Sequence, residues 1–426
     1  MGKRIELRYG SSSQTAVLPD SWTSIPLGAE ELQSSRSERD IVFDALSNPV
    51  GSPALETFAA AGETVGIIVS DKTRYCRTEF VLPLLLERLH DAGIRDSDIV
   101  IIFANGTHPP QTEAEKRTVL GDEVYEHYTI LENHSREEGE FELVGTTRFG
   151  TAVELNNALL RVDKVLAIGT ILHHYFAGYG GGAKLLFPGC ASYNTAVQNH
   201  RRTLTEDGYF HPSCRDGVLD GNPVADDIWD AVRFFPPCFY FATILDAKGK
   251  LVNAVCGDLE QAHRKGIRIV DELYAVEVES EADVVVVSAG GYPKDINLIQ
   301  SHKTLQRASY ALKKGGTLIC LAECRDGIGN PAFLEWFAHP SFPEMRKAVL
   351  NNYKMNAHTA VSLRQKAEDF TILFVSSLPR EDVERTGMQF CQSLEEALSQ
   401  AAMRHDTARC YIIESGALTV PRLANS

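Results

Sequence analysis

One stretch of the chain, residues 170–202, concentrates side chains that can do chemistry. It reads TILHHYFAGYGGGAKLLFPGCASYNTAVQNHRR. Lys184 lies in the otherwise apolar window AKLLFPG, and an apolar environment lowers the pKa of a lysine, which makes its amine a usable nucleophile. Gly180, Gly181 and Gly182 precede it and let the backbone come close to a ligand. We interpret this loop as the floor of a binding site, because so many glycines have no evident purpose in packing.

Histidines are the second group of reactive side chains. His108 lies in the rigid segment NGTHPP, and His173 and His174 are adjacent in the central stretch. In an extended segment, neighbouring side chains point to opposite sides, so one of this pair is expected to face a given ligand. His200 falls in a helix predicted over 192–202. Histidine binds transition metals and moves protons near pH 7, although the residues alone also allow loop or surface histidines without a role.

Cationic side chains gather near the ends of apolar runs. Arg74, Lys294 and Lys303 stand out because the chain carries a formal net charge of −15. Arginine binds a carboxylate through two parallel hydrogen bonds, so these residues favour a pocket for a phosphate or carboxylate. The alternative is that each cation pairs with a neighbouring acid, for example Lys294 with Asp295.

The elements that position these residues are short apolar runs alternating with helical segments, a pattern typical of buried parallel strands in an α/β fold. Polar residues repeatedly follow such runs, and open α/β sheets bind ligands outside the carboxyl ends of their strands. A fresh series of runs begins after an acidic segment near residue 275. The predicted strands cover residues 65–70, 99–104, 128–131, 165–169, 239–245, 283–289, 317–321, 370–375 and 410–413.

Composition excludes several classes of protein. The chain has 426 residues, enough for two or three domains, with 44 % hydrophobic and 23 % charged residues. Its acidic balance argues against nucleic-acid binding. No apolar run approaches the roughly 20 residues of a membrane span, and no signal peptide is evident. Nine cysteines without a CxxC pair indicate reduced thiols and predict a cytoplasmic protein.

Known glycine-rich motifs fit the loop poorly. A Walker A motif fails because Ala183 precedes Lys184 and Leu185 follows it. A dinucleotide fingerprint can be forced from Gly178, Gly180 and Ala183, but the loop does not directly follow its strand and the expected acidic residue is missing. A glycine-rich surface turn is the structural alternative.

With these motifs in place, the chain resembles the nickel-pincer lactate racemase family, and the resemblance covers nearly the whole sequence. It implies two α/β domains with Rossmann-like parallel sheets and the active site in the cleft between them. The N-terminal cofactor-binding domain would cover 1–275 and the C-terminal domain 276–408, with residues 409–426 packing back onto the first. The matching motifs are SDKTR (70–74), NGTHPP (105–110), HHYFAGYGGGAK (173–184) and GGYPKDINLIQSHK (290–303).

The resemblance also implies a cofactor, a nickel-bearing pyridinium-3,5-bisthiocarboxylic acid mononucleotide. Lys184 would hold it covalently as a thioamide, and His200 would be the protein ligand of the nickel. His108 and His174 would be the acid/base pair.

Roles for the remaining residues follow from the same resemblance. Arg74 and Lys303 would hold the substrate carboxylate, with Gln300 nearby and Lys294 placed in the same group. The residues assigned to the cofactor shell are Asp71, Thr73, His173, Gly180, Gly181 and Gly182.

The predicted function is a racemase or epimerase of 2-hydroxy acids. Hydride would leave the substrate Cα for the cofactor while one histidine takes the hydroxyl proton, giving a 2-oxo acid. Ile299 stands where a tyrosine is expected in the lactate enzymes, so the substrate is lactate or a larger 2-hydroxy acid. The predicted partners are this substrate and the cofactor-biosynthesis proteins, and the oligomeric state is left open.

Two other classes of function remain as alternatives. A nicotinamide-dependent 2-hydroxy acid dehydrogenase would need a proper dinucleotide fingerprint. A non-catalytic protein that binds a nucleotide or an organic anion would tolerate the loss of both histidines.

Overall fold

The structure is a computed structural model that describes residues 2–28 and 35–424. In this part of the chain the strands are β1 (Arg4–Tyr9), β2 (Ser12–Val17), β3 (Trp22–Leu27), β4 (Val65–Ser70), β5 (Ile99–Ala104), β6 (Thr129–Glu132), β7 (Phe141–Thr146), β8 (Ala152–Asn156), β9 (Lys164–Thr170), β10 (His173–His174), β11 (Gly178–Tyr179), β12 (Cys238–Leu245), β13 (Leu251–Asp258), β14 (Ala275–Val278), β15 (Ala282–Ser288), β16 (Leu312–Leu321), β17 (Thr371–Val375), β18 (Gln389–Cys391), β19 (Ala408–Ile413) and β20 (Val420–Leu423).

Helices connect most of these strands. Over the same described residues the α-helices are α1 (Glu38–Ser47), α2 (Leu55–Phe58), α3 (Thr78–Asp91), α4 (Glu113–Leu120), α5 (Asp122–His127), α6 (Ala183–Leu186), α7 (Tyr193–Arg201), α8 (Pro223–Ala231), α9 (Leu259–Tyr274), α10 (Leu298–Ala308), α11 (Phe342–Asn351), α12 (Ala357–Asp369), α13 (Arg380–Arg385) and α14 (Leu394–Ala402). Short 3₁₀ helices cover Asp96–Asp98, Leu159–Arg161, Val232–Phe234, Ser309–Ala311 and Pro331–Ala338.

The chain divides into two compact units. We call residues 31–202 and 213–272 the central unit, and residues 1–30, 203–212 and 273–426 the terminal unit, because the latter carries both ends of the chain. Each unit contains its own six-stranded sheet. The predicted α/β class with parallel sheets is therefore confirmed.

The sheet of the central unit has the strand order β13-β12-β9-β4-β5-β6. Its strands run parallel except β13, which pairs antiparallel with β12. Every residue of β4 is buried, as expected for an apolar strand covered on both faces. Strand β4 lies between β9 and β5, so the carboxyl ends of these three strands are neighbours. The predicted reactive residues of this unit follow these three ends.

The sheet of the terminal unit is fully parallel, with the order β18-β17-β16-β15-β19-β3. Strand β19 is almost entirely buried and pairs with β15 on one side and β3 on the other. Strand β20 pairs with β14 in a separate two-stranded sheet. The apolar run at residues 410–413 is thus an internal strand of this unit.

The predicted domain division differs from this arrangement at both ends of the chain and at residues 203–212. Residues 2–28 and 409–424 belong to the terminal unit, where β19 pairs with β3 and β20 pairs with β14. Residues 203–212 also belong there: the Arg346 guanidinium carbon lies 3.6 Å from the Tyr209 ring centroid, and the backbone N–H of Phe210 donates to Gln365 Oε1 at 3.1 Å. These contacts join residues that are distant in sequence, and they place residues 203–212 in the terminal unit.

Within the described residues, no helix has both the length and the apolar character needed to cross a membrane.

Candidate active site

The loop that follows β4 presents a buried carboxylate. Asp71 Oδ1 accepts hydrogen bonds from the backbone N–H and the hydroxyl of Thr73, at 2.9 and 2.6 Å. Its Oδ2 forms a close hydrogen bond with His108 Nδ1 and lies 3.8 Å from Arg74 Nη1. Burial alone would raise the pKa of Asp71, but the hydrogen bond from His108 and the charge of Arg74 lower it to about 2. The carboxyl group is therefore ionised at neutral pH.

His108 is held by this carboxylate while 41 % of its side chain stays exposed. An ionised carboxylate can only accept a hydrogen bond, so Nδ1 of His108 carries a proton. In the neutral imidazole, Nε2 is then the unprotonated nitrogen. Asp71 was predicted in the cofactor shell, and the structure shows it as the partner that orients His108.

Gln111 joins the loops that carry Asp71 and His108. Its Oε1 accepts from the backbone N–H of Lys72 at 2.8 Å, and its Nε2 donates to Asn105 Oδ1 at 3.3 Å. Its own backbone N–H donates to Glu132 Oε1 at 3.0 Å. Gln111 was not predicted from the sequence, although it directly follows the motif NGTHPP (105–110).

His173 lies in a buried polar network. Only 2 % of its side chain is exposed, and its Nε2 is 2.8 Å from Asp271 Oδ1. The Tyr179 hydroxyl donates to the same carboxylate at 2.8 and 2.9 Å. These contacts fix the small hairpin in which His173 pairs with Tyr179 and His174 pairs with Gly178. The predicted contact of His173 with a cofactor stays a prediction.

His174 has a different environment from His108. Its Nδ1 accepts from the backbone N–H groups of Ala177 at 3.3 Å and Phe176 at 3.5 Å. A nitrogen that accepts carries no proton, so the neutral imidazole of His174 holds its proton on Nε2. The two predicted acid/base histidines thus have opposite tautomers.

One aromatic ring brings three of the predicted residues together. The Phe176 ring centroid is 4.4 Å from that of His174 and 4.9 Å from that of His200, both edge-on. Lys184 Nζ lies 5.0 Å from the same centroid. No role was predicted for Phe176. Its position in the sequence, between a histidine pair and a glycine-rich loop, could have indicated one.

The glycine-rich loop has a packing purpose, which corrects our interpretation of the sequence. Gly181 has φ +72°, and a Cβ there would lie 2.5 Å from the carbonyl oxygen of Thr170. Gly182 has φ +53°, and its Cβ would lie 2.6 Å from the His263 ring. No side chain fits at either position, so close packing and backbone conformation both require glycine. The predicted cofactor contacts of Gly180, Gly181 and Gly182 stay predictions.

His200 lies on α7, which agrees with the predicted helix. Ser192 caps this helix by accepting from the backbone N–H of Thr195 at 3.1 Å. Near the other end, the fully buried Asp227 accepts from Asn199 Nδ2 at 2.9 Å and pairs with Arg202 Nε at 3.2 Å. These anchors lie on both sides of His200 in sequence. Asp227 was not predicted from the sequence.

The remaining predicted residues belong to the terminal unit. Lys303 Nζ donates to Gln300 Oε1 at 2.7 Å on α10, whose N-cap is Asn297. Burial and the charges of Arg8 and Arg307 lower the pKa of Lys294. Their predicted roles toward a substrate stay predictions.

Backbone N–H groups compete with Lys294 for the carboxylate of Asp295. Asp295 Oδ2 accepts from the backbone N–H groups of Gly10 at 2.7 Å and Glu323 at 3.1 Å. This oxygen of Asp295 is thus occupied by backbone donors.

Within residues 2–28 and 35–424, no group of three or more His, Cys, Asp or Glu side chains could hold a metal ion. The cofactor predicted from the resemblance requires less of the protein, a single imidazole and an amine. Both are present beside Phe176, so the residues fit such a group.

Two family models match the chain. The Lactate racemase N-terminal domain matches residues 9–210, and the Lactate racemase C-terminal domain matches residues 277–420. The chain is 34 % identical over 342 residues to the lactate racemase of Thermoanaerobacterium thermosaccharolyticum, covering 80 % of this chain and 79 % of that protein. It is 30 % identical over 421 residues to the lactate racemase of Lactiplantibacillus plantarum, covering 97 % and 98 %.

Solved structures give the same result. The lactate racemase apoprotein from Thermoanaerobacterium thermosaccharolyticum has a TM-score of 0.88 and 32 % identity, covering 99 % of this chain and 100 % of that one. A crystal structure of a Thermotoga maritima protein has a TM-score of 0.67 at 16 % identity, covering 93 % and 100 %. The second likeness concerns the fold alone.

Proposed function

Because the chain belongs to the lactate racemase family and is an isomerase, we propose that it interconverts the enantiomers of lactate or of a larger 2-hydroxy acid. The observation that carries this proposal is a pair of histidines held by different partners, a carboxylate at Nδ1 of His108 and backbone N–H groups at Nδ1 of His174. A racemase needs one group that removes the hydroxyl proton and another that supplies a proton to the product. Ile299 is the reason to include substrates larger than lactate.

His108 is the base in this proposal. Asp71 fixes the proton on Nδ1, so the lone pair of Nε2 is ready to accept the hydroxyl proton. The ionised carboxylate then stabilises the imidazolium that forms, as the buried aspartate does in a catalytic triad. His108 is half-exposed, which leaves its imidazole accessible to a substrate.

His174 is the acid in the same direction. Its Nε2 is the nitrogen that would transfer the proton, because Nδ1 faces backbone N–H groups. A neutral imidazole is too weak an acid to give up its only N–H proton, so His174 would act from its imidazolium form and return to the neutral ring. In the reverse direction the roles exchange.

The redox part of the reaction requires a group that the protein side chains lack. When bound, a nickel-pincer nucleotide supplies a reversible acceptor for the hydride of the substrate Cα. Lys184 would hold it covalently through Nζ, and His200 would be the ligand of the metal. Both side chains lie against Phe176, which supports their action on one bound group.

Substrate binding is assigned to cationic and polar side chains. The side chain of Arg74 is 44 % exposed, and its guanidinium would bind the carboxylate. We further propose that Lys303, Gln300 and Lys294 of the terminal unit take part. Asp71 orients His108 through the carboxylate and binds Thr73, so its contribution to the cofactor shell is indirect.

The test is racemisation by protein made in a host that synthesises the nickel-pincer nucleotide. We expect a mass adduct that is lost in Lys184→Ala, nickel near one per chain, and conversion of one enantiomer of lactate or a larger 2-hydroxy acid into the other on a chiral column. His108→Asn and His174→Asn should abolish conversion, whereas His90→Asn, at a surface histidine paired with Asp96, should not.

The opposite results identify the alternatives. An unmodified, nickel-free chain despite confirmed cofactor supply contradicts the cofactor assignment. Stoichiometric consumption of NAD would indicate a dehydrogenase. Ligand binding that survives both histidine substitutions without any turnover would indicate a binding protein.

A cytoplasmic location and an association with cofactor-biosynthesis proteins remain part of the proposal. The nine cysteines are free thiols in the structure, which supports a reducing compartment.

A further inference from the structure

Two side chains from distant parts of the central unit pack beneath the glycine-rich loop. Tyr240 comes from β12 and His263 from α9, and both are almost completely buried. Neither was singled out in the sequence, and neither belongs to the acid/base pair or the substrate group. Their contacts converge on Gly180, Gly181 and Gly182.

His263 forms a directed contact with this loop. Its Nε2 donates to the carbonyl oxygen of Gly180 at 3.1 Å. Burial lowers the pKa of His263 to about 4, so the ring is neutral at pH 7 and its single proton is on Nε2. Nδ1 is buried and has no hydrogen-bond partner among the described residues. The protein therefore keeps an imperfectly satisfied polar ring here, where an apolar ring would avoid the desolvation penalty.

Tyr240 and His263 also occupy the space beside the glycines. A Cβ on Gly181 would lie 2.6 Å from the Tyr240 hydroxyl, and one on Gly182 would lie 2.6 Å from the His263 ring. Burial raises the pKa of Tyr240, and its hydroxyl has no hydrogen-bond partner among the described residues. Both side chains are thus electrically neutral.

The backbone of Lys184 is hydrogen-bonded to this loop. The backbone N–H of Lys184 donates to the Gly181 carbonyl at 3.1 Å, and that of Leu185 donates to the Gly182 carbonyl at 3.0 Å. These bonds begin the single turn of α6 that carries Lys184. The position of the lysine amine therefore depends on where the glycine carbonyls are held.

We infer that His263 is a positioning residue that holds the Gly180–Gly182 backbone so that Lys184 is presented for cofactor attachment, with Tyr240 filling the space beside Gly181. The inference rests on the proposed function for the role of Lys184. It assigns the hydrogen bond from His263 Nε2, rather than the bulk of the ring, as the feature that matters.

The experiment compares three substitutions in the full chain. His263→Phe keeps a ring of similar size but removes the donor. His263→Gln keeps an N–H donor near the position of Nε2. Tyr240→Phe removes one oxygen and is the variant best suited to retain the fold. Tyr411→Phe is the matched control, because the buried Tyr411 donates to the carbonyl oxygen of Ser280 at 2.7 Å in the terminal unit.

Two measurements are made on each variant. The first is amide hydrogen exchange of residues 178–187 in protein produced without the cofactor. The second is the fraction of chains with an adduct on Lys184 after production with the cofactor, from intact mass. We expect His263→Phe to raise exchange in this segment about five-fold, as for loss of one buried hydrogen bond, and to lower the adduct fraction about five-fold. His263→Gln and Tyr411→Phe should stay within two-fold of the parent, and so should Tyr240→Phe, which removes a hydroxyl without a hydrogen-bond partner.

Several outcomes would overturn the inference. Unchanged exchange of 178–187 in His263→Phe is one. A rise spread evenly over the whole chain, or an equal effect of His263→Gln, would show general destabilisation instead. If the parent chain carries no adduct, the proposed function fails. The exchange measurement then still decides whether His263 holds the loop.

Discussion

The Nδ1 atom of His108 pairs with the Oδ2 atom of Asp71, a carboxylate 37 residues earlier that directly follows β4. Asp71 is 3 % exposed and its other oxygen is bound by Thr73. A carboxylate held in this way fixes both the orientation and the tautomer of the imidazole. This pairing makes the role of His108 as a base testable.

Substituting the carboxylate should slow catalysis without removing the substrate site. In Asp71→Asn, the amide can donate to His108 Nδ1 and reverse the tautomer, as seen when the buried aspartate of a catalytic triad is replaced. We expect kcat to fall by about 10²- to 10⁴-fold, with a smaller change in KM. Steady-state racemisation of the loaded enzyme measures both. Asp96→Asn is the control, since Asp96 pairs with His90 at the surface, and an equal loss there would contradict the assignment.

The same carboxylate should contribute to stability in a defined pH range. Its pKa falls from an ordinary 3.8 to about 2 on folding. A group with a lowered folded pKa stabilises the protein above its unfolded pKa and loses that contribution as the pH falls through the folded pKa. The parent chain should therefore lose about 2 kcal/mol relative to Asp71→Asn between pH 4 and pH 2. Denaturant unfolding at several pH values measures this, and parallel curves for both proteins would refute it.

The opposite tautomers of the two histidines can be observed directly. We expect a proton on Nδ1 of His108 and on Nε2 of His174 at a pH where both rings are neutral. Long-range ¹H–¹⁵N correlation spectra of histidine-labelled protein distinguish the two forms, with His108→Asn and His174→Asn used for assignment. The same tautomer at both residues would contradict the different hydrogen-bond partners of the two Nδ1 atoms.

Phe176 should matter more for activity than for folding. Phe176→Leu keeps an apolar side chain but removes the ring shared by His174, His200 and Lys184. We expect a loss of about 1 kcal/mol in unfolding free energy and at least a ten-fold loss of racemisation. The control is Phe239→Leu, a buried core ring that packs against Phe58. It should lose similar stability and keep its activity, and equal activity losses would contradict a specific role of Phe176.

Glycine at position 182 should be required for two separable reasons. In Gly182→Ala, the alanine would have to adopt a positive φ and its Cβ would clash with the His263 ring. In Gly150→Ala, the alanine would have to adopt a φ of +88°, but no atom lies within 4 Å of the new Cβ. The second variant should lose about 1–2 kcal/mol for backbone conformation alone. The first should lose about 1–3 kcal/mol more because of crowding. Chemical denaturation of both proteins gives the difference, and equal losses would mean that His263 moves aside easily.

The sequence by itself determined the α/β class and the family. Apolar runs such as residues 65–70 and 99–104 became buried parallel strands, because a strand covered on both faces needs an unbroken apolar segment. Polar residues placed directly after those runs had to lie at the carboxyl edge of the sheet. This local relation also placed Asp71 and His108 near neighbouring strand ends, and the long motifs predicted the family, which the comparisons confirmed.

Only the tertiary structure decided which side chains touch. The contacts His108–Asp71, His263–Gly180 and His173–Asp271 join residues 37, 83 and 98 positions apart. Local periodicity carries no information on them, because they depend on which strands and helices become neighbours. The same reason explains why residues 2–28 were placed in the other domain: strand β3 pairs with β19, which lies almost 400 residues later, and proximity along the chain does not determine that pairing.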